Sequence, residues 1–272
     1  MAKCVQCGRG GLFFKVTAAG LCPSCQEAAD RKRRYEEAAK QRSLFLQRKQ
    51  ADFAAELAAI PLAVIGRDGP KVGVRPLEGF YDLKYSNITA RSQRETLGSF
   101  VAIDLETTGL KATDSIIELS AVRFCDFTPE AIFTTFVRPS GAIPPDASNV
   151  NGITEEMVVD APRFWEILPS LQAFIGSSAV VGHNLPFDLK FLYRRGFDIQ
   201  PKQRLYDTLE ISQRLLKKPN AAGTNDWDVC DHKLATVCEH YGIYIDGAHR
   251  SAADALAAGK LFCRLVEERT AL

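Results

Sequence analysis

Asp104 and Glu106 stand at the end of an apolar run that reads Phe-Val-Ala-Ile-Asp-Leu-Glu-Thr-Thr-Gly-Leu from Phe100. If that run is a strand, side chains two apart share a face, so the two carboxylates lie side by side. Like charges so close repel unless a divalent cation bridges them, and hard oxygen donors favour magnesium or manganese. Thr107, Thr108 and Gly109 begin the turn out of the strand. A lone D-x-E is equally what a solvated strand end looks like, so the pair needs companions. His183-Asn184-Leu185-Pro186-Phe187-Asp188 offers a third carboxylate in the first turn of a helix that follows a strand end. His183 and Asn184 fall in the loop, where they can contact a substrate or brace the acid, and Phe187 suits either the core or a base. His249-Arg250-Ser251-Ala252-Ala253-Asp254 offers a fourth. There Asp254 projects from an alanine-rich helix and His249, five positions earlier, overhangs the site, where a neutral imidazole can take a proton from water. Arg250 offsets negative charge. Taken alone, this last segment also reads as a capped helix with a solvent histidine.

A second constellation is chemically different. Cys4, Cys7, Cys22 and Cys25 form two Cys-x-x-Cys knuckles around a segment with Gly8, Gly10, Gly11 and Gly20. Two such knuckles can present four thiolates tetrahedrally to zinc, and a segment this small has little core without a staple. Two disulfides or a redox pair are the competing readings. Cys125, Cys230, Cys238 and Cys263 lack metal-ligand spacing and are expected as small buried hydrophobes.

The elements that must hold these residues follow from period and composition. Gln26 to Leu57 has neither glycine nor proline and predicts one long helix ending before Pro61. Its Arg31-Lys32-Arg33-Arg34 run fits either a phosphate contact or a solvated face. Phe53, Leu57 and Ile60 form a short apolar stripe that docks on the following domain or on another chain. Residues 61–98 read as turns with minor strands, for instance at Val72-Gly73-Val74. Beyond Phe100, strands are expected over 116–124 and 131–137, joined by a turn at 126–130, with further short strands at 179–182 and 205–208. Helices are expected over 164–175, 185–195, 233–241 and 251–269 and from 208 to about Lys217. A three-stranded meander followed by alternating strands and helices implies an α/β fold, a mixed sheet covered by helices. The division is then 1–27 for a four-cysteine zinc module, 28–60 for a basic helical segment, 61–98 for a connector and 99–272 for a catalytic domain.

Together, the segments 104–109, 183–188 and 249–254 resemble the three exonuclease motifs of the DnaQ-like family in its DEDDh subgroup, which includes the proofreading subunit of bacterial DNA polymerase III. The resemblance implies a ribonuclease H-like fold and two-metal hydrolysis of terminal nucleotides in the 3′-to-5′ direction. It implies Asp104, Glu106, Asp188 and Asp254 as ligands of two magnesium or manganese ions and His249 as general base, with release of nucleoside 5′-monophosphates. Asp207, in Leu205-Tyr206-Asp207-Thr208-Leu209, is similar to a supporting acid of the family, and Thr107, Asn184, Phe187 and Arg250 become candidate nucleic-acid contacts. The chain departs from the compact pattern between Lys217 and Lys233, where Trp227 suits stacking on a base or packing on its own domain. The four-cysteine front is a second departure. His232 and His240 are expected to be structural or solvent-facing.

The whole-chain charge of +1 conceals an asymmetry. The first 99 residues hold 17 basic and 10 acidic side chains, and the rest hold 17 basic and 23 acidic. A basic front can attract a polyanion or a protein partner, whereas an acidic remainder needs cations to hold one. The hydrophobic share of 46% suits a packed globular protein, and no apolar run is long enough to span a bilayer. The expectation is a cytoplasmic protein with no membrane partner, whose substrate is nucleic acid with a free 3′ end, DNA in preference to RNA, single-stranded or frayed. An RNA 3′-end exonuclease of the same fold and a noncatalytic nucleic-acid-binding module are the alternatives.

Overall fold

The structure, a computed structural model, describes residues 2–13, 15–217 and 228–271. It divides into two units, residues 1–49 and 50–272. In the first, β1 (Ala2–Lys3) pairs antiparallel with β2 (Gly10–Gly11). Gly10 is required here, because a Cβ would lie 2.7 Å from the Ala2 carbonyl oxygen. The knuckle between them closes on Gly8, at φ 74°, whose N–H reaches the Cys4 carbonyl at 3.0 Å. Helix α1 (Pro23–Ala59) then runs uninterrupted, with no helix breaker after its first residue. Within the basic run, Arg31, Lys32 and Arg33 pair with Glu27, Glu36 and Asp30 on the exposed surface, the pattern of a solvated face.

The second unit is built on a five-stranded mixed sheet of order β5-β4-β3-β6-β7. Its strands are β3 (Phe100–Thr107), β4 (Ile116–Cys125), β5 (Thr128–Phe136), β6 (Ala179–Gly182) and β7 (Leu205–Asp207). Strands β3 and β4 pair antiparallel, as do β4 and β5, whereas β6 is parallel to β3 and to β7. The β4–β5 hairpin turns on Asp126 and Phe127, both at positive φ, as a tight two-residue turn requires. Phe127 tolerates the strain because its ring packs on the core and under the Arg94 guanidinium.

The mixed sheet is flanked by helices on both faces. One face carries α4 (Phe164–Ile175) and α5 (Leu185–Arg194), packed with Val101, Ile103 and Leu105 of β3. The other carries α6 (Thr208–Leu215), α7 (Leu234–His240) and α8 (Ser251–Thr270), packed with Phe100 and Ala102. Two short helices, α2 (Pro145–Asn151) and α3 (Glu155–Val158), follow β5 over a small separate cluster. Phe53 and Ile60 are buried in the α8-side core and Leu57 packs against it, so the apolar stripe docks within this unit.

Residues 61–98 form no ladder at Val72-Gly73-Val74. Instead the segment bridges both sheet edges with single contacts: Leu62 opposite Ile132 on β5, and Ser86 opposite Tyr206 on β7. Each bridge occupies one of the open pairing positions that an edge strand presents. Cys238 is buried and Cys263 half-buried, but Cys125 and Cys230 are exposed, contrary to their expected place in the core. Cys125 closes β4 at the hairpin turn, and Cys230 lies in the approach to α7, so neither position faces an apolar layer. Trp227 falls outside the described residues. On either side of that stretch, Lys217 and Asp228 are hydrogen-bonded to each other. Among the described residues, no helix is long and apolar enough to cross a membrane.

Candidate active site

Strand β6 ends at Gly182, one residue beyond its pairing of Val181 with Ala102, so Asp104 and Glu106 lie on β3 just past the carboxyl end of its parallel neighbour, the position at which open α/β sheets present ligand sites. Asp104 lies across from Ser120 and Glu106 across from Glu118, and the register slips between Glu106 and Thr107. A slip of this kind bends the strand locally and re-aims the side chains beside it. Asp104, Glu106 and Asp254 each bring a carboxylate oxygen within 4.8 Å of the others. Asp188, on the first turn of α5 and 3% exposed, turns its carboxylate to the Leu105 N–H at 3.1 Å, between the two strand acids in sequence.

Asp254 is held from the opposite side by α8. Its carboxylate accepts the backbone N–H of His249 at 2.9 Å. That bond curls the approach to the helix, and His249 takes φ 64° to make it. His249 is exposed and, with Asp104 and Asp254, lines a cleft of about 750 Å³. The walls of this cleft include Leu110, His183, Asn184, Phe187 and Lys233. Asn184 caps α5 in the left-handed region at φ 63°, and its backbone N–H donates to Asp207 at 2.8 Å. Asp207 also accepts from Leu209, so one carboxylate ties the β6–α5 loop to the start of α6. His183 bridges Thr208 and the His232 carbonyl at 3.0 and 2.8 Å. Its neutral form is favoured, because burial pulls it down to about 4.

The acids are crowded, and their proton affinities record it. Burial, then Asp188, Asp254 and Glu106, holds the Asp104 carboxyl well above the usual range. Burial, then Asp254, pushes Glu106 up to about 7. Burial raises Asp254 to about 6 against the pull of the His249 N–H. Asp188 is raised chiefly by burial as well, with its hydrogen-bonded N–H groups opposing. Removing negative charge from such a group, by protons or by cations, relieves the repulsion. The groups that converge, from Asp104, Glu106 and Asp254, are all carboxylates, which fits a hard divalent cation rather than a thiophilic one. At the other metal-type cluster, the four thiol sulfurs of Cys4, Cys7, Cys22 and Cys25 also lie within 4.8 Å of one another. Backbone N–H groups, that of Cys7 first, draw Cys4 down to about 6, which favours the ligating thiolate.

Residues 101–262 match the family described as exonuclease, RNase T. The chain belongs to this exonuclease family. Its DnaQ-like domain is 35% identical over 173 residues to the DNA polymerase III subunit epsilon of Treponema pallidum, covering 62% of this chain and 76% of that one. For the subunit epsilon of Aquifex aeolicus the identity is 31% over 172 residues, covering 63% and 82%. A PolC-type DNA polymerase III of Caldanaerobacter subterraneus subsp. tengcongensis is 32% identical over 184 residues, or 66% of this chain but 12% of that protein. The chain thus spans only a small part of such PolC-type relatives. Escherichia coli exonuclease I, solved with a dT13 oligonucleotide, superposes with a TM-score of 0.52 at 20% identity, covering 64% of this chain and 42% of that one. That likeness concerns the fold, which is ribonuclease H-like.

Three residues near the acids lie outside the sequence motifs. Glu118, on β4 and 4% exposed, accepts two nitrogens of Arg250, at 2.7 and 3.2 Å, and the Ser251 N–H at 2.8 Å. It locks the N-terminus of α8 to the sheet. The signal for it was present: a single carboxylate inside the apolar strand Ile116–Phe124. Asn151, at the end of α2, accepts the Ile153 N–H at 3.0 Å, and its amide lowers the proton affinity of Glu106. No periodicity marks it. Tyr85, in the connector, is raised to about 12 by burial first, then by Asp207 and Asp188.

Two candidate substrate contacts are engaged internally. Arg250 spends its guanidinium on Glu118 and the Phe136 ring, and the Thr107 hydroxyl donates to the Gly109 carbonyl at 2.7 Å. Phe187 is half-buried, packs tilted against Phe191 with ring centroids 5.0 Å apart and still reaches the cleft. His232 is buried and bonded to Ser212.

Proposed function

We propose that the chain is a divalent-cation-dependent 3′-to-5′ exonuclease that removes nucleotides from single-stranded or frayed DNA 3′ ends and releases nucleoside 5′-monophosphates. The observation that carries this reading is the convergence of Asp104, Glu106 and Asp254, two of which, Asp104 and Asp254, line a cleft together with His249. Asp104, Glu106, Asp188 and Asp254 would hold two magnesium or manganese ions. Once bound, the ions supply charge neutralisation at the attacked phosphate and the departing 3′-oxygen, and a more acidic water.

The chain's own residues do the rest. His249 is the general base: exposed at the rim, it takes the proton of the attacking water. Asp254 fixes the backbone from which that ring reaches, through the His249 N–H. Asp207 sets the Asn184 loop, so that Asn184 and Phe187 meet the terminal nucleotide from the α5 side. Arg250 serves by position, holding α8 to Glu118, with its outer edge 44% exposed toward phosphate. Asp207 and His183 support the site without taking part in proton transfer. DNA is favoured over RNA because relatives above 30% identity over most of their length carry DNA polymerase names. Cys4, Cys7, Cys22 and Cys25 would bind one structural zinc.

The test uses 3′-labelled and 5′-labelled single strands of matched DNA and RNA, with magnesium and then with chelator. Immediate release of labelled mononucleotide from the 3′ end and a shortening ladder from the 5′-labelled strand are expected, both stopped by chelator. Asp104→Ala should lower turnover by about 10³-fold or more, since it removes a group on which the reacting centre depends. Absence of hydrolysis on every strand would leave the noncatalytic reading standing, and faster RNA turnover would reverse the substrate preference.

A further inference from the structure

The turn over residues 108–115 borders two concavities in the second unit. Leu110 lines the acidic cleft, while Thr113 and Ser115 line a separate hollow of about 520 Å³. Four cationic side chains face this hollow, from Lys71, Arg138, Arg163 and Arg195, and no carboxylate does. Among the described residues none of the four forms an ion pair. Arg195 is bonded only to carbonyls, those of Ala112, Phe191 and Asp114. Burial first and Arg194 second draw it down to about 10. Arg163 reaches the Pro139 carbonyl, and the Glu166 carboxylate accepts the backbone N–H of Arg163 at 2.6 Å. Lys71 and Arg138 are exposed, and the half-buried Trp165 adds an aromatic side chain to the wall.

The wall is fixed at both ends. Gly69 donates to the Glu166 carbonyl at 3.0 Å, on the flank of α4, and a Cβ there would come within 2.1 Å of the Trp165 carbonyl. Arg75 donates its N–H to the Arg194 carbonyl at 2.6 Å and pairs with Asp198 at 2.5 Å. The stretch 70–74 is therefore held against the domain, with Lys71 facing the hollow. Unpaired cations, hydroxyls and the aromatic residues Phe164 and Trp165 on a preformed surface are the chemistry that receives a nucleic-acid backbone together with a base.

We propose that this hollow is a second nucleic-acid contact, which takes the sugar–phosphate backbone of the substrate strand on the 5′ side of the nucleotide being removed. The proposal rests on the exonuclease reading for its polarity. The 108–115 turn separates the two contacts: from Leu110 to Thr113 the chain spans at most about 11 Å. The rim of the acidic cleft at Leu110 and the rim of the hollow at Thr113 are thus neighbours, so a strand that leaves the cleft past Leu110 comes to the hollow. Arg195 keeps the turn in shape from beneath, and the exposed cations meet phosphate.

Binding separates this proposal from catalysis. In the chain carrying Asp104→Ala, Lys71→Glu and Arg138→Glu are introduced together, and a fluorescent nucleoside 5′-monophosphate, which fills only the acidic cleft, and a fluorescent DNA strand of twenty nucleotides are titrated across a salt series. The twenty-nucleotide strand should bind about tenfold or more weaker. Its salt slope should fall by about 1.4, for two single-strand phosphate contacts at roughly 0.7 each. Binding of the mononucleotide should change less than twofold. A control with the same charge change at two other exposed positions, Lys202→Glu and Arg91→Glu, should leave both ligands nearly unaffected. Equal loss on both ligands, equal loss in the control, or unchanged binding of the long strand would each overturn the proposal, and the last would turn attention to an acidic protein as occupant. In the chain that retains Asp104, the same two substitutions should raise KM on the long strand at constant kcat. If that chain hydrolyses nothing, the exonuclease reading fails while the binding titration still decides the hollow.

Discussion

Glu106 carries the electrostatic cost of the site in measurable form. Burial and Asp254 push it up to about 7, against the amide of Asn151 and the charge of Arg250. A carboxyl whose value is raised on folding keeps its proton in the folded chain at a pH where the unfolded chain has lost it. Its contribution is present at low pH and is lost as pH rises through the folded value. In magnesium-free buffer the exonuclease unit should therefore lose stability between pH 5.5 and pH 8, by on the order of 2 kcal/mol from this group. Glu106→Gln should flatten that part of the slope, and magnesium at pH 8 should restore the wild-type midpoint by replacing the proton. Thermal unfolding at several pH values reads all three, and identical slopes for the wild type and Glu106→Gln would refute the assignment. The four acids were legible in the sequence because each lies within a short motif of fixed spacing. Glu118 shows in the sequence only as a lone carboxylate in an apolar strand, and its role was hidden because Arg250 lies 132 residues along the chain; Asn151 left no signal. The internal engagement of Arg250 by Glu118 was hidden for the same reason.

At the level of elements, the site depends on α8 lying close against the sheet, and Gly259 is what permits it. A Cβ at Gly259 would come within 2.3 and 2.5 Å of the Phe124 ring and 3.1 Å of Ala102. Phe124 has no room to withdraw, because it is buried and stacked on Phe100 at 4.7 Å. Gly259→Ala gains about 1 kcal/mol of helix propensity. Overpacking costs about 1–3 kcal/mol, and two contacts this short against a locked ring fall toward the upper end. A net loss of about 1–2 kcal/mol is expected, read as a lower urea midpoint with unchanged slope. An increase in stability would mean that the sheet can yield. The five strands and the main helices of this unit could be read from apolar runs and period. The short helices α2 and α3 could not, since Pro144, Pro145 and Gly152 crowd a stretch too brief for any repeat to register. The role of residues 61–98 was equally hidden, because single backbone bridges to Ile132 and Tyr206 leave no alternation in the sequence.

Over the whole molecule, the charge asymmetry is sharper than a division at Phe100 suggested. Residues 1–49 hold 11 basic and 4 acidic side chains, whereas residues 50–99 hold six of each. The positive surplus thus belongs to the first unit, and the clustered acids belong to a unit whose two main cores are made from Phe53 onward. Stability should divide in the same way. Cys4 and Cys22 are the buried members of the cysteine cluster, and replacing both leaves two thiols, too few for a closed tetrahedral site. The double variant Cys4→Ser, Cys22→Ser should lose its zinc, from one ion per chain to none by elemental analysis. It should also lose amide protection over residues 2–25, because a segment with so little core folds on its metal. The exonuclease unit should keep its unfolding midpoint to within roughly 0.5 kcal/mol, the scatter of substitutions that touch no core. Turnover on a four-nucleotide strand should be unchanged as well. Co-operative loss of both units on removing zinc would show that the exonuclease domain draws its stability from the first unit, and the assignment of separate cores would then be wrong. If only the first unit is lost, the acidic unit needs no help from the basic one to fold, and the surplus charge of residues 1–49 is left for contacts outside the chain.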